Sequence, residues 1–100
     1  MADINVQELK KKLDAKEDFL FLDVREIYEY EEYNMNALNI PLGVLPVRLH
    51  ELDEHKDKEV VVHCRSGARS AAAKAIMIEK GFKNVRNLLG GALDYRKNFG

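Results

Sequence analysis

What is scarce in this chain narrows it before any motif does. Cysteine occurs once in 100 residues, so no internal disulfide can form, and a lone thiol fits a reducing, cytoplasmic setting. Neither sign of charge predominates: 16 Lys and Arg against 17 Asp and Glu leave a formal net charge of -1, so nucleic acid and anionic membranes are not expected partners. No apolar run approaches the roughly 20 residues of a membrane span. The opening MADINVQELKKKL has no apolar segment behind a basic start and does not read as a signal peptide. His50, His55 and Cys64 lack metal-ligand spacing, so neither metal nor cofactor is expected. Repeats, low-complexity tracts and linkers are missing too. What is present, 46% apolar and 33% charged residues, suits one globular domain spanning 1–100, expected to be a monomer.

Local patterns alternate between strands and helices. Asn5 followed by Glu8 has the form of a capping box, with Val6, Leu9 and Leu13 on one helical face. FLFLD (19–23) reads as a buried strand, and Ile27 and Tyr30 fall at helical spacing. ALNIP (37–41) is a short strand stopped by proline, and Leu45, Leu49 and Leu52 mark a helix that tolerates Pro46 only in its first turn. EVVVH (59–63) carries the strongest strand signal, buried on both faces. A helix over Ala71 to Lys80 ends at Gly81, NVRNL (84–88) is a further strand, and Gly90-Gly91 precede a last helix from Ala92 to Asn98. This alternation predicts an α/β fold, a mostly parallel sheet of about five strands with helices on both faces. Ligands of such sheets sit beyond the carboxyl ends of the strands.

Cys64 stands at one of those ends, in HCRSGARS (63–70). Gly67 permits the backbone conformations a tight loop needs. The loop amides and the first turn of the next helix then form an anion-binding nest around one atom. Arg65 and Arg69 add positive charge, and Ser70 can cap the helix or donate to the thiolate. Lowering a thiol pKa by about two units takes about 2.7 kcal/mol, whereas a helix dipole supplies about 0.3–1 kcal/mol. Several amide hydrogen bonds and a guanidinium are therefore required, and this stretch offers both. The reading is of an activated thiolate that holds an anionic group beside its sulfur.

LDVRE (22–26), ALNIPLG (37–43), VVHCRSGARSA (61–71) and NLLGGALDYRK (87–97) together resemble a single-domain rhodanese. The resemblance implies a cysteine that accepts sulfane sulfur as a persulfide and a loop, Cys64, Arg65, Ser66, Gly67, Ala68, Arg69 and Ser70, whose amides cradle it. Thiosulfate or a protein persulfide would be the donor, and cyanide, a thiol or a partner cysteine the acceptor. The sequence departs from the family pattern in YNMNA (33–37), which is short and lacks His and Pro, and in Tyr95, which stands where tryptophan is frequent. Asn36 can supply a left-handed turn there. With the chain ending at Gly100, an open site favouring protein partners is expected.

Cysteine-dependent phosphatases place five residues between Cys and Arg, whereas four separate Cys64 from Arg69. The smaller ring suits one sulfur atom better than a phosphoryl group. A phosphatase or arsenate reductase of related fold is the enzymatic alternative, with Asp23 or Asp94 as the acid it would need. A docking module that does not use the thiol is the other. His63, a neighbour on the strand, is expected to point away from the Cys64 sulfur and to support the loop. Asp23 with Glu26 reads as a helix cap, Arg25 as an anion contact or an ion-pair member, and Lys74 and Arg86 as solvated charges.

Overall fold

The computed structural model describes residues 2–100. Four strands, β1 (Leu20–Asp23), β2 (Leu38–Asn39), β3 (Glu59–His63) and β4 (Asn84–Asn87), form one sheet in the order β2-β1-β3-β4. All its pairings are parallel, with Leu22 beside Val62 and Val60 beside Val85. Four strands rather than five is a correction. Ile4 makes a single parallel bridge to Leu88, but Asn5 immediately caps a helix, its side chain accepting from the Glu8 amide at 2.8 Å. The edge ladder therefore stops after one residue.

Alternation along β3 divides the core. Val60, Val62 and Cys64 pack with Leu45, Leu49, Leu52, Ala73 and Met77 on one face. Val61 packs with Ile4, Val6, Leu9, Leu88 and Tyr95 on the other. Helices α1 (Val6–Asp14) and α5 (Gly91–Phe99) cover the second face, while α3 (Leu45–Arg48) and α4 (Ala68–Glu79) cover the first. Pro46 lies in the first turn of α3, as its missing N–H requires, and the leucine run continues as a 3-10 segment, Leu49–His55. Helix α2 (Ile27–Glu32) follows β1 with no buried residue. Its Ile27 is 61% exposed. Among the described residues no helix is long and apolar enough to cross a membrane.

Three charged residues sit differently from their sequence reading. Arg86 is buried and binds Glu59, Glu8 and the Ala2 carbonyl at 2.7–2.9 Å, tying β4 to the chain start. Lys74 pairs with Asp3 at 2.7 Å. Asp23 does not cap α2: it is fully buried against Arg25, and Glu26 caps the helix through a reciprocal box with Glu29.

Candidate active site

β3 carries Cys64 to the carboxyl edge of the sheet, where residues 65–67 turn into α4. Gly67 has φ +115°, a value that L side chains rarely adopt. A Cβ there would find its nearest neighbour 3.8 Å away, so glycine is needed for backbone conformation and not for space. The turn aims donors at the sulfur. The Gly67 N–H donates to Cys64 Sγ at 3.1 Å and the Ser70 hydroxyl lies 3.3 Å from it. The Ser66 and Ser70 amides also face the sulfur. Ala68 and Arg69, at the first two helical positions, have N–H groups with no intrahelical acceptor.

Burial, with Cys64 only 1% exposed, would push the thiol up. Hydrogen bonds from the Ser70 hydroxyl and from the Ser70, Gly67 and Ser66 amides outweigh it, so the thiol lies below its ordinary range. Ser70 has one hydroxyl proton for three acceptors: Asn87 Oδ1 at 2.5 Å, the Gly67 carbonyl at 3.2 Å and Sγ at 3.3 Å. Distance favours Asn87, so the hydroxyl contributes less than a dedicated donor would. Ser70→Ala is expected to slow iodoacetamide alkylation of Cys64 at pH 7 about three- to tenfold, the range of one modest hydrogen bond. The alkylation midpoint should move to higher pH, because the thiolate loses a donor that the neutral thiol does not need. A pH–alkylation profile identical to wild type would assign the activation to the amides alone.

The arginines divide the work. Arg69 forks onto Glu29 at 2.7 and 3.0 Å, joining the loop to α2, and this guanidinium pulls the Glu29 carboxyl down to about 2. Arg25 is 5% exposed and gives Nε and Nη2 to Asp23, with Nη2 also 2.6 Å from the Tyr33 carbonyl. Arg65 is exposed and faces a cavity between α2 and α5. His63 lies on the face opposite Sγ, fully buried against Phe21. Its Nδ1 is 3.2 Å from the Cys64 carbonyl, while Nε2 makes no hydrogen bond and stands 3.4 Å from Asp23 Oδ2. Burial keeps this ring below the usual histidine range despite the nearby Asp23 carboxylate, so at neutral pH it supports the loop as a neutral group.

Sequence reading missed three contributors. Glu29 lies 40 residues from its arginine partner, and no local pattern links them. Asn87 supports Ser70 and the Gly67 carbonyl from β4; it stands at a strand end beside β3, and that position is its one sequence signal. The first amides of α5 bind the loop from behind, Ala92 to the Cys64 carbonyl at 2.9 Å and Leu93 to that of Arg65 at 3.0 Å.

Comparison with known proteins extends this geometry. The sequence matches the rhodanese-like domain family over residues 5–98. A sulfurtransferase of Allochromatium vinosum is 35% identical over 97 residues, covering 96% of this chain and 89% of that protein. A tRNA uridine(34) hydroxylase of Pectobacterium carotovorum is 40% identical over 85 residues, 80% of this chain but 24% of that one. The crystal structure of a rhodanese-related protein from Thermoplasma volcanium superposes with a TM-score of 0.84 at 30% identity, covering 99% of this chain and 94% of the other. The agreement runs through the whole fold and not only its cysteine loop: this chain belongs to the rhodanese-like sulfurtransferase family.

Proposed function

We propose that this chain moves sulfane sulfur through a persulfide on Cys64. The observation that carries the reading is the seat of Sγ, a buried sulfur ringed by amide donors and a hydroxyl, with its pKa lowered by them. The Cys64 thiolate attacks the outer sulfur of thiosulfate; a new S–S bond forms, the old one breaks, and its electron pair leaves with sulfite. The persulfide carries the negative charge, and the Ala68 and Arg69 amides, free of intrahelical partners, are placed to stabilise it. An acceptor nucleophile, cyanide or a thiolate, then takes the outer sulfur and returns the Cys64 thiolate. Cys64 is the only cysteine, so the sulfur passes to another molecule.

Arg25 serves this site by holding the β1–α2 turn, and Arg69 by fixing the loop to Glu29 while its charge stays near the sulfur. The site works within one domain and one protomer. A protein persulfide is the alternative donor, and a protein thiol an alternative acceptor. Phosphate-ester chemistry is less well supported. Asp23 is fully buried and held by the Arg25 guanidinium and amide, so it is not free to protonate a leaving alkoxide.

Intact-protein mass spectrometry tests the cycle. Incubation with thiosulfate should add one sulfur atom to the wild type and none to Cys64→Ser, and cyanide should remove it as thiocyanate. No added sulfur from thiosulfate or from a low-molecular-weight persulfide would overturn the reading.

A further inference from the structure

We propose that the cavity of about 260 Å³ beside the cysteine loop is an acceptor subsite shaped for a thiol of amino-acid type, bearing a carboxylate and an ammonium besides its sulfur. This rests on the sulfur-transfer reading above and names its acceptor class. The volume is just below the usual range for small-molecule pockets and far more than cyanide or one sulfur atom needs. Cys64 does not line the cavity, but both its sides are tied to the loop. Ala92 and Leu93 of its wall bond the Cys64 and Arg65 carbonyls, and Glu29 holds Arg69. A ligand seated there lies against the turn that carries the nucleophile.

Its charges select the ligand. Of the ionised groups in the wall, Arg25 is neutralised by Asp23 and Glu29 by Arg69. Arg65, Arg96 and Glu32 also line it, and among the described residues these three form no ion pair with one another or with any other side chain. Arg96 lies with its guanidinium carbon 4.8 Å from the Tyr33 ring centroid, a stacking that orients it while leaving its N–H edges to bind a carboxylate. Two uncommitted guanidinium groups and one uncommitted carboxylate complement a carboxylate, an ammonium and a thiolate. A neutral thiol would leave all three unused, and a dicarboxylate would meet Glu32. In the transfer step the bound thiolate attacks the outer sulfur of the persulfide. The new S–S bond forms on the acceptor, the bond to Cys64 Sγ breaks, and its electron pair stays on Sγ.

The test begins with protein whose persulfide content is counted by intact mass. Rates of sulfur removal are then measured with L-cysteine, 3-mercaptopropionate, which lacks the ammonium, cysteamine, which lacks the carboxylate, and cyanide, which lacks both. Each kcat/KM is divided by the cyanide value of the same variant, and wild-type to variant ratios cancel differences in thiol acidity. Arg96→Gln is expected to lower the ratio about tenfold for L-cysteine and 3-mercaptopropionate but not for cysteamine, the lower end for a hydrogen bond to a charged group. Glu32→Gln should instead lower L-cysteine and cysteamine. Variants that scale all four acceptors alike would overturn the subsite. A second measurement needs no sulfur chemistry: NMR titration with S-methyl-L-cysteine should shift the Arg65, Leu93 and Arg96 amides in the wild type and not in Arg96→Glu. Shifts without any persulfide loading would refute the transfer reading and keep the subsite, whereas loading with no shifts would refute the subsite alone.

Discussion

Asp23→Ala is expected to cost about 3–5 kcal/mol of stability, the usual consequence of removing one partner from a buried ion pair. Asp23 is fully buried and Arg25 nearly so. The carboxylate accepts the Arg25 amide at 2.9 Å, its Nε at 3.1 Å and its Nη2 at 2.8 Å. Alanine leaves the guanidinium in place with only the Tyr33 and Glu29 carbonyls as acceptors, and a buried cation so placed is unstable. Against the 5–15 kcal/mol typical of a domain, the loss is a large fraction of the whole. With a urea m value of about 1–3 kcal/mol/M, the denaturation midpoint should fall by at least about 1 M. The double variant Asp23→Leu/Arg25→Met separates the two explanations. If the penalty comes from the orphaned charge, the double variant recovers much of the loss; if it comes from packing, it does not. A midpoint within about 0.3 M of wild type for Asp23→Ala would mean that Arg25 reaches water, contrary to its burial.

That pair also shows where local reading of the sequence stops. The strands at 20–23 and 59–63, the turn at Asn36 with φ +62°, the glycine at 67 and the thiol at the strand end are all legible. Each follows from a periodicity or from a residue's own conformational preference, which act over a few positions. Asp23 has the local form of a cap because Glu26 follows three residues later. The competing partner, Arg25, is just as near, and burial decided between them. Arg86 gives the same lesson over a longer distance. Its acids lie 27 and 78 residues away, and only the parallel register of β3 and β4, together with the docking of α1, brings them to it. Long-range charge pairing is a property of topology, and a surface-charge reading is the default until topology is known. The same reason hid Glu29, whose position on a six-residue helix becomes meaningful only when Arg69 arrives from α4.

Gly91→Ala is expected to reduce sulfur transfer about 10- to 100-fold while also destabilising the fold. Gly91 has φ +58°, in the left-handed region where a Cβ costs about 1–2 kcal/mol. The larger effect is positional. A Cβ at Gly91 would stand 2.5 Å from the Arg65 carbonyl oxygen, 2.6 Å from its carbon and 2.7 Å from the Cys64 carbonyl oxygen. These are backbone atoms of the loop that carries the nucleophile, with no flexible side chain to give way. Relief requires moving either α5 or the loop by several tenths of an ångström, and both are joined by the Ala92–Cys64 and Leu93–Arg65 hydrogen bonds. Sγ then leaves the focus of its amide ring, and a displacement of about 1 Å can cost on the order of a hundredfold in rate. Gly90→Ala is the control. Its φ of +81° carries comparable strain, and the new Cβ would stand 2.6 Å from the Asp94 Cβ, a clash within the first turn of α5 and not with the backbone of the cysteine loop. The two variants should therefore lose similar stability by urea denaturation, while only Gly91→Ala loses turnover and shifts the alkylation profile of Cys64 to higher pH. Equal losses of turnover in both would reduce the Gly90-Gly91 pair to a structural turn. An effect confined to Gly91→Ala would mean that α5, on the opposite face of the sheet from Cys64, sets the position of the sulfur through the backbone it supports.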